Sequence, residues 1–151
     1  MVLGIIYHFF TEEIAYAIKG KGAYLNGQPI HVGSASQLSR SLVSFGTSPY
    51  DKASLGEKNM TNLKEIFFLC EDVRRIGSAA IELAYVAAGR VDIYFERNLK
   101  PWDYAAGIII IQEAGGTITN FRGEPVDIAS PSDILAGNGV VNELLRKKIS
   151  L

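Results

Sequence analysis

The sequence predicts a mixed α/β fold, with N-terminal antiparallel hairpins followed by a mixed, largely parallel sheet flanked by helices. Three observations carry this. Residues 1–33 are β-branched and aromatic runs separated by turn residues, with Asn26-Gly27 between two of them, the strongest short-range hairpin signal. From residue 41 onward, short apolar strands alternate with helical patterns, which implies crossovers and parallel pairing. The 151 residues are 48% hydrophobic and 21% charged, an ordinary globular balance. A domain of that length buries roughly 70% of the surface its unfolded chain exposes.

Val2 to Tyr7 is apolar throughout and reads as a strand. Phe10-Thr11-Glu12 turns it into a second strand over Ile14 to Ile18, which Lys19-Gly20-Lys21-Gly22 ends. Ala23 to Ile30 holds the Asn-Gly hairpin. Ser41 to Phe45 is a strand and Gly46-Thr47-Ser48-Pro49 a loop. Glu57 to Leu69 is a helix whose apolar face is Met60, Leu63, Ile66 and Phe67. Asp72 to Ile76 is a strand. Ala79 to Ala88 is a helix of small and apolar residues, stopped by Gly89. Val91 to Phe95 is a strand, and Trp102 to Ala114 a helix stopped by Gly115-Gly116. These two helices are apolar almost all round, which buries them on more than one face. Thr117 to Phe121 and Ser132 to Ala136 are strands, and Val140 to Ile149 is a closing helix with Lys147 and Lys148 in its last turn.

Lysine and arginine total 15 and aspartate and glutamate 16, a net charge of −1, which argues against a protein built to grip nucleic acid or an anionic membrane. The longest apolar stretch, Ala105 to Ile111, is far short of the ~20 residues that span a bilayer. The start has no basic n-region, and the single cysteine, Cys70, can form neither an internal disulfide nor a cysteine-rich zinc site. A cytoplasmic location is expected.

Three segments could carry chemistry. Lys19-Gly20-Lys21-Gly22 could cradle a phosphate, but it lacks P-loop spacing and opens no helix, so turn chemistry competes. Arg74 to Ala80 ends a strand and opens a helix at Gly77-Ser78-Ala79, where free N–H groups and the positive end of the dipole suit anions and polyol oxygens. An ordinary Ser78 N-cap is the alternative there. Finally, the strand Val91 to Phe95 delivers Glu96 to its carboxyl end, and Asp103 opens the next helix. Ligands of open α/β sheets bind beyond strand carboxyl ends, and two carboxylates there could hold a hard cation or orient hydroxyls. Helix capping by Asp103 and solvation of Glu96 are the alternatives. His8 and His31 stand near no partner spacing for nucleophilic or metal chemistry.

Taken in order, these segments resemble the inositol monophosphatase family. Arg74 to Asp92 is similar to one of its signatures; Leu99-Lys100-Pro101-Trp102-Asp103-Tyr104-Ala105-Ala106-Gly107 and Gln112 to Gly116 resemble its C-terminal signature; and Lys19 to Gly27 resembles an upstream segment. The resemblance implies a layered α/β fold, a magnesium-dependent phosphomonoesterase acting on inositol or sugar phosphates, and a homo-oligomer, commonly a dimer. It implies that Asp103 is a metal ligand, that Glu96 binds substrate hydroxyls, and that Gly77, Ser78 and Ala79 line the polyol site. Gly46 to Tyr50 lies near that site by the same analogy.

The family's remaining metal ligands belong to a Gly-Glu-x-[Ser/Thr]-like segment and an Asp-Pro-[Ile/Leu]-Asp-Gly-Thr-x-Asn-Phe-like segment, and neither occurs here. The chain therefore resembles the C-terminal portion, with residues 1–40 a β remnant of the N-terminal sheet and residues 41–151 the C-terminal α/β domain. Three functional readings follow. The chain is part of a phosphatase that needs a missing N-terminal part and is inactive alone, a non-catalytic polyol or phosphate-binding module, or an oligomer-forming fragment.

Overall fold

A computed structural model describes residues 1–148. Four strands, β1 (Leu3–His8), β2 (Glu13–Ile18), β3 (Ala23–Leu25) and β4 (Gln28–Ile30), form an antiparallel sheet in that order. Asn26 (φ 48°) and Gly27 (φ 80°) close the β3–β4 hairpin with both central residues at positive φ, the geometry that an Asn-Gly pair supplies. The Asn26 carboxamide oxygen also accepts the Ile14 N–H at 2.7 Å, fixing the turn to β2.

The second sheet contains β5 (Leu42–Phe45), β6 (Asp72–Arg74), β7 (Ile93–Leu99), β8 (Thr117–Thr119) and β9 (Ser132–Gly137), in the order β6-β5-β7-β9-β8. It is mixed. β5 pairs in parallel with β6 and β7, whereas β9 pairs antiparallel with both β7 and β8. The helices α1 (Lys52–Phe67), α2 (Ala79–Ala87) and α3 (Pro101–Glu113) are crossovers between parallel strands, as the alternation implies. β9 follows β8 with no helix between them and inserts antiparallel between β7 and β8, so the parallel share is smaller than alternation alone suggests. The closing helix, α4, runs Val140–Arg146; Ile149, the expected end, lies outside the described residues.

α2 and α3 are sandwiched between the two sheets. Their apolar residues join Ile6, Ala15, Ala17 and Ala23 from the first sheet and Tyr94, Ile118, Ile134 and Ala136 from the second in one core. The far side of the second sheet packs Val43, Ile93, Phe95 and Leu135 against Ile66 of α1 and Val141 and Leu145 of α4. Both central helices end where their glycines stand. Gly89 (φ 67°) lets the Arg90 N–H reach the Tyr85 carbonyl, and Gly115 (φ 80°) lets the Gly116 N–H reach that of Ile111.

α1 departs from expectation. It begins at Lys52, and the residues it buries are Asn59, Asn62 and Ile66, while Met60 and Phe67 are exposed. Asn59 is buried because its carboxamide donates to the Thr47 carbonyl at 3.1 Å. A polar pair that finds partners has set the face, which a purely apolar template cannot anticipate.

The Lys19-Gly20-Lys21-Gly22 turn is filled from within. The Glu113 carboxylate, at the end of α3, accepts the Gly20 N–H at 2.8 Å and the Gly22 N–H at 2.9 Å. Those bonds hold its carboxyl below the usual glutamate range. Because the shift is downward, this latch stabilises the fold above the ordinary glutamate range and is lost as pH falls through the lowered value. A Glu113→Gln variant is therefore expected to melt below the wild type at neutral pH, with the gap closing on acidification; thermal scans of both proteins across acid pH check it.

Candidate functional site

A cavity of about 700 Å³ opens at the carboxyl end of β7. Ser48, Asp51, Gly77, Ser78, Glu96 and Asp103 are in its wall, and Ala79 joins them. The five residues singled out in the sequence thus border one space, brought there by the β6–α2 junction, the end of β7 and the start of α3.

β7 runs further than expected, to Leu99, because a bulge interrupts its pairing with β9. Glu96 faces Ile134 and Leu99 faces Ser132, so two residues, Arg97 and Asn98, oppose the single Asp133. Asn98 takes a positive φ (50°), its N–H donates to the Asp133 carboxylate at 3.0 Å, and its carboxamide donates to Asp51 at 2.7 Å. The bulge turns the strand's end along the cavity edge.

Glu96 is buried, not solvated. One carboxylate oxygen accepts the Ser48 N–H at 2.9 Å, and the other accepts the Tyr94 hydroxyl. Tyr94 is wholly buried; burial first, then the neighbouring Glu96 carboxylate, pushes its phenol well above the ordinary tyrosine value, so it remains a donor. A Cβ on Gly46 would overlap the Glu96 carboxyl, so glycine there makes room for it. Ser48 has a positive φ (48°), held by its hydroxyl donating to the Arg97 carbonyl at 2.7 Å.

Ser78 stands at the N-cap of α2, yet its side chain makes no capping bond, so the hydroxyl is not spent on the helix. The loop before it is organised by Glu82 instead. This side chain is 1% exposed and accepts the Ile76 N–H at 2.7 Å, the Gly77 N–H at 3.3 Å and the Ser44 hydroxyl. Sequence reasoning passed over Glu82, Tyr94 and Ser44. The available signal was a lone carboxylate inside Ala79-Ala80-Ile81-Glu82-Leu83-Ala84, a helix otherwise apolar.

Asp103 caps α3: one carboxylate oxygen accepts the Lys100 N–H at 3.0 Å. Among the described residues, no three or more His, Cys, Asp or Glu side chains are grouped to hold a metal ion. The acids present do not by themselves fit magnesium, which takes six oxygen ligands in near-octahedral geometry. Elsewhere, Cys70 is half-buried, and burial raises its thiol pKa. No helix among the described residues is long and apolar enough to cross a membrane.

The chain matches known proteins along nearly its whole length. It is 39% identical over 148 residues to the inositol-1-monophosphatase of Synechocystis, spanning 98% of this chain and 51% of that one. It is 36% identical over 145 residues to the Nus factor SuhB of Pasteurella multocida, spanning 96% and 54%. Among solved structures, the inositol monophosphatase of Anabaena superposes with a TM-score of 0.91 at 41% identity, over 97% of this chain and 57% of its own. A Staphylococcus aureus enzyme, IMPase-II, solved with inositol monophosphate bound, superposes at 0.85 and 32% identity, over 98% and 56%. The chain spans about half the length of the curated relatives it matches. The sequence profile of the inositol monophosphatase family covers residues 1–150, so the chain belongs to the inositol monophosphatase family.

Proposed function

We propose that this chain is the substrate-side half of a magnesium-dependent phosphatase acting on small phosphorylated polyols or sugars. The observation that carries the reading is the single cavity bordered by Glu96, the Gly77-Ser78-Ala79 helix start and Asp103. Glu96 is held rigidly by Ser48 and Tyr94, and its remaining lone pairs accept substrate hydroxyls. The first-turn N–H groups of α2 and the Ser78 hydroxyl donate to ligand oxygens. Asp103, with one oxygen committed to its helix cap, offers the other as one metal ligand. Bound magnesium would supply Lewis-acid chemistry at phosphorus.

One carboxylate does not assemble that site. Residues 1–40 and 41–151 are read as two parts of this half, a β remnant and an α/β domain, acting in the cytoplasm. The other oxygen ligands come from a further part of a family-length protein, and alone the chain self-associates into a dimer or larger homo-oligomer through apolar surface left bare.

Two measurements test the reading. Titration calorimetry with inositol 1-phosphate and a panel of sugar phosphates is expected to show weak binding that Glu96→Ala reduces at least tenfold. Silence from the folded wild type across the panel would overturn the retained site. The isolated chain is expected to release no phosphate from inositol 1-phosphate with magnesium; turnover that Asp103→Ala abolishes would show that the chain is catalytically sufficient.

A further inference from the structure

α1 starts without the cap its sequence offers. Asp51 stands at the N-cap of α1, where an aspartate ordinarily accepts a first-turn N–H, yet its side chain makes no capping bond. The carboxylate turns instead to the end of β7, where one oxygen accepts the Asn98 carboxamide at 2.7 Å. The bulge makes this bond possible. Asn98 has a φ of 50°, an uncommon conformation outside glycine, and its N–H is tied to the Asp133 carboxylate at 3.0 Å. Ser48 stitches the same two segments together, donating its N–H to Glu96 and its hydroxyl to the Arg97 carbonyl. Two acids, Glu96 and Asp51, are thus held by protein donors in the wall of one cavity.

Asp51 is half-buried, and among the described residues no cation forms an ion pair with it. Its second oxygen meets no protein donor there. A carboxylate in that state takes a donor from a ligand and repels an anion. Its place in the cavity says which part of a ligand it meets. A neighbouring groove of about 570 Å³ shares Ser78, Trp102 and Asp103 with the cavity but not Glu96, Asn98 or Asp51. Asp51 therefore belongs to the Glu96 end rather than to the end at Asp103, the proposed metal ligand. We propose that Asp51 is a specificity-determining residue of this site. Its second oxygen accepts a further hydroxyl of a polyol monophosphate already held by Glu96, and its unneutralised charge turns away sugars that carry a second phosphate. Asn98 is the positioning residue that aims it. The proposal rests on the reading of the cavity as a polyol-phosphate site and narrows that reading to monophosphates rich in free hydroxyls.

Trp102, the single tryptophan, borders the cavity, so its fluorescence reports binding without turnover. The test titrates the full chain, magnesium omitted, with inositol 1-phosphate and with fructose 1,6-bisphosphate, read by Trp102 fluorescence and by calorimetry. The wild type is expected to prefer inositol 1-phosphate. Asp51→Asn keeps a carbonyl oxygen for Asn98 but loses the charge. It is expected to weaken inositol 1-phosphate about tenfold and to tighten fructose 1,6-bisphosphate about tenfold, the scale of one charge-assisted bond and of one like-charge repulsion. Asn98→Gly keeps the positive φ and removes the donor, and is expected to weaken inositol 1-phosphate about threefold by loosening Asp51. Thermal scans establish that both variants fold. A purely structural Asp51 moves both ligands in the same direction or neither, and either result overturns the proposal while the polyol-phosphate reading stands. Silence from the folded wild type toward both ligands overturns that reading, and the proposal with it.

Discussion

Glu82→Ala is expected to destabilise the fold by about 3 kcal/mol or more, the scale of leaving several buried donors without their acceptor. Glu82 is wholly buried and is the shared acceptor for the Ile76 and Gly77 amides and the Ser44 hydroxyl. Alanine leaves those three donors without it, each costing about 1–3 kcal/mol if nothing replaces the bond. Against a total stability of roughly 5–15 kcal/mol this is a large share. Glu82→Gln keeps a carbonyl oxygen for the two amides and turns an NH₂ toward Ser44, so its cost is expected to be less than half as great. Urea unfolding with an unchanged m-value checks the ranking. Hydrogen exchange at Ile76 and Gly77 should accelerate in the alanine variant first, because the loop bordering the cavity is what the carboxylate holds.

Gly107→Val is expected to cost about 3 kcal/mol or more, at the upper end for overpacking a core. Gly107 is buried in α3 where that helix crosses α2, and a Cβ built there would overlap the Leu83 side chain and lie 3.0 Å from its Cβ. Gly107→Ala gains about 1 kcal/mol in helix propensity against a crowding cost of about 1–3 kcal/mol, so it should be milder. The contact is specific: Leu83→Ala combined with Gly107→Val should recover part of the loss, a coupling that a double-mutant cycle measures.

The elements that were legible in the sequence are those whose local chemistry and tertiary packing agree. The Asn26-Gly27 pair names its own turn, and Gly89 and Gly115 stop α2 and α3 where only a positive φ lets the next amide turn back. The misread face of α1 belongs to the opposite case. Its Met60 and Phe67 lie in solvent because Asn59 is drawn in by a carbonyl of the Gly46–Ser48 loop, and no periodicity encodes a bond to a residue in another element. The end of β7 was cut short for a related reason. A strand that continues through a bulge looks, in Arg97-Asn98, like a strand that has stopped, and only the partner residue Asp133 shows otherwise. The cavity's outline was legible because strand carboxyl ends and helix starts are marked by glycine, serine and acids. The residues that stiffen it were not, since Tyr94 reads as core and Glu82 is a lone acid in an apolar helix.

The tie between Glu113 and the Gly20–Gly22 turn spans more than ninety residues, and it bears on biosynthesis. The first sheet leaves the ribosome as local hairpins, while α3, which covers its inner face, follows about eighty residues later. At roughly 5–20 residues per second, β1 to β4 wait some 4–16 s for that cover. During that interval the inner face of the β-meander, with Ile6, Ala15, Ala17 and Ala23, is bare, so nascent-chain binding by a holdase chaperone to these strands should fall once residue 113 has emerged.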